Sequence, residues 1–258
     1  MLTNRVATVL LIVALLAAAA YHVWVGEVSP WVYVSIVAVF MALQTYGSIV
    51  LSAQFFIPVR FRGTKESHSI ALTFDDGPLQ GHTERILDIL KQHNVKAAFF
   101  CIGHRVTSHP DVVARIHAEG HVVGNHSYWH GKLFDLQSSS AIRAELEHTN
   151  AAVEAVIRKR PRFFRPPYGV TNPMVAAAVR KLRYTTIGWS LRSFDSVSKD
   201  SSVLRDKVAR LVKAGDVILF HDYSEAMIAM LPQFLKHVED TGLKIVRVDE
   251  LLQEQAYA

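Results

Sequence analysis

Two long apolar runs open the chain, and beyond them hydrophobic positions recur at periods of two and of 3.6 up to the C-terminus. Val6 to Val25 contains no acidic or basic residue apart from His22, and it is long enough to cross a bilayer as a helix. Asn4-Arg5 ahead of it and Ala18-Ala19-Ala20 within it would also suit a signal peptide, but the run exceeds a typical signal core, which favours an uncleaved helix. After Gly26-Glu27-Val28-Ser29-Pro30 a second run extends from Trp31 to about Gly47, carrying Gln44 near its end. From Tyr46 to Ile57 serines and β-branched residues predict a strand leading into a globular domain and closed by Pro58. The chain therefore divides into an N-terminal membrane segment of one or two apolar helices (1–57) and a larger domain (58–258).

In that domain Ile70, Leu72 and Phe74 alternate with small residues as a strand does, and the run stops at Asp75-Asp76-Gly77-Pro78. Helical spacing predicts helices over 83–93, with Thr83 as N-cap, and over 110–119, 138–158, 173–182, 203–213 and 226–239. Apolar runs predict strands over 95–103, 121–124, 162–164, 184–189, 217–220 and 244–248, with a short helix after the last. Regular alternation of strand and helix predicts an α/β fold with a mainly parallel sheet, closed or nearly closed into a barrel. Asp75-Asp76, Asn125-His126, Arg165, Ser190 to Asp195 and His221-Asp222 all follow the C-terminal ends of predicted strands. In a (β/α) barrel that face carries the chemistry.

Charge adds little to this picture. Lys and Arg number 28 against 23 Asp and Glu in 258 residues, a net +5. Short basic groups such as Arg158-Lys159-Arg160 read as solvated helix ends, and no basic stripe is interleaved with aromatics, so nucleic acid is not an expected partner. The single cysteine, Cys101, excludes an intrachain disulfide and a cysteine-rich zinc site. Arg5 precedes the first apolar run, no Lys or Arg lies between the runs, and Arg60, Arg62 and Lys65 follow the second. The positive-inside tendency then predicts a hairpin in the inner membrane with both ends and the domain in the cytoplasm. A domain on the outer side would require that one run not span.

Two adjacent carboxylates at a strand mouth raise one another's pKa, a cost that a metal ion or cationic partner removes. One acid is then free to ligate metal while the other works as a base. His126-Ser127-Tyr128-Trp129-His130 spaces two imidazoles four residues apart. A helical turn starting there would face both the same way. With an Asp from the neighbouring strand end they make a two-His-one-carboxylate set, suited first to zinc, with cobalt, manganese, nickel or ferrous iron fitting the same donors.

Thr73-Phe74-Asp75-Asp76-Gly77-Pro78, His126 to His130, Arg165-Pro166-Pro167-Tyr168 and Leu219-Phe220-His221 resemble, in order and spacing, the motifs of the NodB-type polysaccharide deacetylases, carbohydrate esterase family 4. The resemblance spans roughly residues 70 to 222. It implies a distorted (β/α) barrel of the NodB-homology type that removes an acyl group, usually acetyl, from a sugar amide nitrogen. Carried over by motif, Asp76, His126 and His130 are metal ligands, and Asp75 is the base toward metal-bound water. Arg165 pairs with Asp75, the Tyr168 backbone N–H joins the oxyanion site, and His221 is the acid for the leaving amine. Leu219 lines the acetyl pocket. Asp195 orients His221, although Ser196 stands where the family usually has Trp, which removes a wall of the substrate groove. Arg192 either pairs with an anionic group or salt-bridges to the barrel rim. The expected partners are an N-acetylated amino sugar of a cell-envelope glycan or lipid-linked sugar, and the membrane. Ester or cyclic-amide hydrolysis would use the same site; a membrane-tethered, non-catalytic glycan-binding protein is the alternative from another class.

Overall fold

The structure, a computed structural model, describes residues 2–258. It opens with two antiparallel helices, α1 (Asn4–Trp24) and α2 (Pro30–Ile49), which leave most of their apolar side chains exposed. Both are long and apolar enough to cross a membrane. The expected strand over 46–57 does not form. Residues 46–49 instead continue α2, and a single 3-10 turn takes Leu51–Ala53. Gln54 is then left-handed at φ 54°, and its side-chain oxygen accepts from the Val59 N–H at 3.1 Å. That bend breaks any extended run, so the first strand, β1 (Val59–Arg60), begins only after Pro58.

The domain continues with β2 (Ser69–Asp75), α3 (His82–Gln92), β3 (Ala98–Cys101), α4 (Gly103–Ser108), α5 (Pro110–Ala118) and β4 (Val122–Asn125). Next come α6 (Ser139–Ile157), β5 (Phe163–Phe164), α7 (Pro173–Leu182), β6 (Thr185–Ile187) and β7 (Leu191–Arg192). The chain ends with α8 (Ser201–Leu211), β8 (Val217–His221), α9 (Glu225–Asp240), β9 (Lys244–Ile245) and α10 (Val248–Leu252). Gly81, not Thr83, caps α3; Thr83 is buried and its hydroxyl accepts from the Leu79 N–H.

Strands run in the order β1-β6-β5-β4-β3-β2-β8-β7, every ladder is parallel, and β9 pairs with the start of β2. Among the described residues no ladder joins β1 to β7; a lone antiparallel bridge, Arg62 to Asp216, reaches across the gap. The sheet is thus a curled parallel half-barrel. All seven residues of β2 are buried, as a central strand covered on both faces must be. Ile70, Leu72 and Phe74 pack against the helix layer, with Phe74 stacked on Phe99 at 5.1 Å and on Phe220 at 5.8 Å. Ala71 faces the barrel interior with Phe100 and Val217. Taking each such phenylalanine out of water contributes about 2–3 kcal/mol, so the register of β2 is firmly held. That register sets Asp75 opposite Phe100 on one side and His221 on the other. Asn125 pairs with Phe164, which brings His126 beside Arg165.

Candidate metal centre and catalytic cleft

The residues that end β2, β4, β5 and β8 converge on one cleft of about 210 Å³, lined by Asp75, Asp76, His126, His130, Tyr168, Leu219 and His221 among others. Arg165 and Asp195 stand behind this lining, both buried.

No helical turn joins the two histidines. Ser127 and His130 are left-handed at φ 62° and 53°, and the loop is pinned by side chains. Asn125 accepts from the Ser127 N–H at 3.0 Å, the Ser127 hydroxyl from the His130 N–H at 3.0 Å, and Glu145 from the N–H groups of Tyr128 and Trp129 at 3.2 Å each. These local acceptors compete successfully with a helix. The imidazoles still meet, with ring centroids 4.7 Å apart. Asp76 Oδ1 lies 3.5 Å from His126 Nε2 and 3.4 Å from His130 Nε2. It is buried with no hydrogen-bond partner among the described residues, and the three donor atoms lie within 4.8 Å of one another.

His126 Nδ1 lies 2.7 Å from the Arg165 carbonyl. A proton held there leaves the Nε2 lone pair facing Asp76, the tautomer a ligand needs. Burial, reinforced by His130, pushes the His126 pKa down to about 3, so the ring is neutral. Two imidazole lone pairs and an unpartnered carboxylate oxygen repel one another unless a cation lies between them. These residues therefore fit a divalent metal with positions open to water.

The second carboxylate is held differently. Asp75 Oδ1 accepts from Arg165 Nη1 at 2.7 Å, and Arg165 has no exposed surface. The guanidinium also donates to Thr73 Oγ1 (2.8 Å), the Ile187 carbonyl (3.1 Å) and the Gly188 carbonyl (2.8 Å), and it sits 4.1 Å over the Phe100 ring. Burial raises the Asp75 pKa, and Arg165 and His221 work against that rise. Across the ladder, His221 Nδ1 lies 2.9 Å from Asp195 Oδ1, while the His221 backbone N–H donates to Asp195 Oδ2 at 2.8 Å. Burial lowers the His221 pKa, but the hydrogen bond and charge of Asp195, with Asp75 and Asp76, outweigh it and the net shift is upward. Tyr168 is left-handed (φ 58°, ψ 2°), and among the described residues its N–H meets no backbone or side-chain acceptor. Leu219 is buried at the cleft floor.

Three further groups had no role assigned from the sequence, although Asp222 already stood there at a strand end. Trp189 and Tyr223 line the cleft. Asp222 is fully buried, accepts from Thr83 Oγ1 at 2.5 Å, and is pushed up to about 7 by burial, with Asp76 and Asp75 adding to the rise. A Cβ on Gly77 would fall 2.1 Å from Asp222 Oδ2, which is why the residue after Asp76 is glycine. A polar residue directly after His221, at a strand end, was the available signal for Asp222. Asp76, Ser127, His130, Tyr168 and Phe194 are all non-glycine residues at positive φ around the cleft, a clustering of strain typical of working sites.

Comparison with known proteins agrees with this fold. A polysaccharide deacetylase family profile matches residues 62–187. A peptidoglycan-N-acetylglucosamine deacetylase of Bacillus cereus is 34% identical over 194 residues, covering 71% of this chain and 88% of that protein. The chain belongs to the polysaccharide deacetylase family. The solved Bc1960 peptidoglycan N-acetylglucosamine deacetylase superposes on this family member with a TM-score of 0.73 at 30% identity, covering 78% of this chain and 95% of that one. Peptidoglycan-N-acetylglucosamine deacetylase PgdA of Listeria monocytogenes is 36% identical over 191 residues, 74% of this chain. The chain spans only 40% of the length of that relative.

Proposed function

We propose that this polysaccharide deacetylase-family protein hydrolyses the N-acetyl group of an amino sugar of the bacterial cell envelope, releasing acetate and the free amine. The observation that carries this reading is the convergence, in one small cleft, of an unpartnered Asp76 carboxylate facing two imidazoles, an Arg165-held Asp75 and an Asp195-held His221.

Asp76, His126 and His130 would hold the metal, zinc by the donor set. The ion, when bound, supplies Lewis-acid polarisation of the amide carbonyl and makes water nucleophilic near neutral pH. Asp75 takes the proton from the attacking water. Arg165 orients that carboxylate and favours its ionised form, offsetting the burial that would protonate it. The free Tyr168 N–H donates to the oxygen that becomes negative as the carbonyl carbon turns tetrahedral, a contact worth about 3–4 kcal/mol in comparable sites. His221, its Nδ1–H held by Asp195, presents Nε2 to the sugar nitrogen and delivers a proton as the C–N bond breaks. Asp75 and His221 are ladder partners on adjacent strands, about 5 Å apart at the backbone, and so flank the scissile amide. Leu219 packs against the acetyl methyl. Loss of Asp75, a metal ligand or His221 would favour a non-catalytic barrel, and all are present.

We further read residues 1–57 as an anchor and 58–258 as the catalytic domain. At 21 and 20 residues, α1 and α2 are about 30 Å long, one hydrocarbon thickness each. Arg5, Arg60, Arg62 and Lys65 lie at the domain end of the hairpin, and no Lys or Arg lies at its far end, which favours a cytoplasmic domain at the inner membrane. Acetate release from N-acetylated amino sugars, lost on chelation and restored by zinc, tests the chemistry; unchanged release in chelator contradicts it. A C-terminal reporter active only in the cytoplasm tests the sidedness, and a silent reporter contradicts it.

A further inference from the structure

The anchor is not tethered to the domain by a free linker. The Asn4 N–H donates to the Phe55 carbonyl at 2.8 Å, and Gln44 Nε2 donates to Asn4 Oδ1 at 2.9 Å. The Thr171 N–H donates to the Ser48 carbonyl in the last turn of α2 at 3.0 Å. Gly47 permits this seat, because a Cβ there would fall 2.3 Å from the Phe55 ring. Ala7 of α1 joins Leu51, Phe55, Phe56, Ile57, Val59 and Ala176 in one buried cluster, with Phe40 and Leu43 of α2 packed against it.

Trp189, half-buried, packs against that same cluster and also lines the cleft. It lies over Gly169, whose φ is 72° and where a Cβ would fall 2.5 Å from the indole. The hairpin and the cleft therefore share a wall. Along the chain, Tyr168 is three residues from Thr171, at most about 11 Å. The headgroup band of a bilayer is itself about 5–8 Å deep on each face. The cleft is held close to the membrane surface with no slack to leave it.

Two further features bear on what reaches it. Arg192 lines the cleft, and it makes no ion pair with a carboxylate among the described residues; the salt bridge to the barrel rim that its position suggested is not formed. Its guanidinium lies 5.2 Å from the Phe194 ring, and Lys207 Nζ lies 4.1 Å from the same ring, so the rim is cationic. The cleft, about 210 Å³, is also smaller than the 300–1,000 Å³ usual for ligand pockets and suits a single sugar better than a run of them.

We infer that the cleft takes an N-acylated amino sugar carried on a membrane lipid through a phosphate, with Arg192 pairing with that phosphate. The inference rests on the deacetylase and anchor readings above and deepens them by naming the substrate class. It separates the lipid-linked sugar from the polymer.

The test uses the full chain in lipid nanodiscs and three forms of N-acetylglucosamine: a soluble β-linked tetramer, the soluble sugar 1-phosphate, and the sugar linked to polyprenyl phosphate in the same bilayer. Acetate release should be at least tenfold faster from the lipid-linked form than from the tetramer, with the 1-phosphate between them. In Arg192→Ala the ratio of lipid-linked to tetramer kcat/KM should fall about tenfold, mainly through KM, and Arg192→Lys should recover part of it. Equal or faster release from the tetramer overturns the inference and leaves the deacetylase reading standing. A 1-phosphate as good as the lipid-linked sugar overturns the membrane part. No release from any form fails the deacetylase reading, and the inference with it. A second readout needs no turnover: a fluorophore on Ser196→Cys, at the cleft rim, should be quenched by headgroup-labelled nitroxide lipid. Because Cys101 is fully buried, the label goes to the rim alone. An unquenched label places the cleft away from the bilayer and overturns the inference.

Discussion

Arg165→Met isolates the contribution of the buried guanidinium. Arg165 donates to Asp75, Thr73 and two backbone carbonyls, all of them buried, with only an edge of Asp75 reaching the cleft, so little water can replace the lost guanidinium. Removing one member of a buried pair leaves the other charge uncompensated, at a cost of about 3–5 kcal/mol. For a domain of this size that is a fall in Tm of the order of 10 °C. Burial already raises the Asp75 pKa and Arg165 works against that rise, so losing Arg165 raises it further and weakens the proposed base along with the stability. The sharper form is a double-mutant cycle. Asp75→Asn removes the charge that Arg165 compensates, so Asp75→Asn/Arg165→Met should recover at least about 2 kcal/mol relative to the summed single changes. Thermal unfolding of the four proteins in one detergent measures this. Additivity within about 0.5 kcal/mol would show that the two side chains are not coupled and would refute the account of how the base is held.

Two other outcomes follow from the same geometry. In the proposed mechanism His221 acts as an acid only while protonated, and Asp195 contributes most to raising its pKa from the ordinary value near 6.5, so Asp195→Asn should move the alkaline limb of the kcat/KM profile to lower pH and cut kcat about 100-fold or more; a limb that stays put contradicts the pairing. His121 is buried, its Nδ1 accepts from the Ala97 N–H at 3.0 Å, and burial pushes its pKa down to about 4. The unfolded chain therefore binds the extra proton between about pH 6.5 and 4, and stability is lost as pH falls through that window. The loss should be up to about 3 kcal/mol at 1.4 kcal/mol per pH unit. Denaturant unfolding of His121→Gln against pH should show a flatter slope there, and an unchanged slope would exclude His121 as its source.

How much was legible in the sequence depended on what each feature rests on. The alternation of Ile70, Leu72 and Phe74 and the uninterrupted apolar run of β3 mark strands because burial on both faces is written into the residues themselves. Placing the polar residues at strand ends was then enough to bring Asp75, Asp76, His126, Arg165 and His221 together. Features decided by particular hydrogen bonds were not readable. Glu145, on α6, holds the His126 to His130 loop out of a helical turn from far along the chain. Over 46–57 the chain continues α2 and then turns at Gln54, whose side chain accepts from the Val59 N–H just ahead of β1. The two-residue strand β7 carries too little pattern to be seen, and α4 follows β3 with only Ile102 between. Trp189 read as the end of a strand, and its place between the anchor and the cleft emerges only from the packing.

In the proposed mechanism the adjacent carboxylates divide the work, Asp76 holding the metal and Asp75 moving the proton. Acetate release by Asp75→Asn, measured alongside its zinc content, tests this most directly. The account predicts one zinc per chain, as in the unaltered protein, and release at least 100-fold slower. Release at the unaltered rate with zinc in place would contradict it.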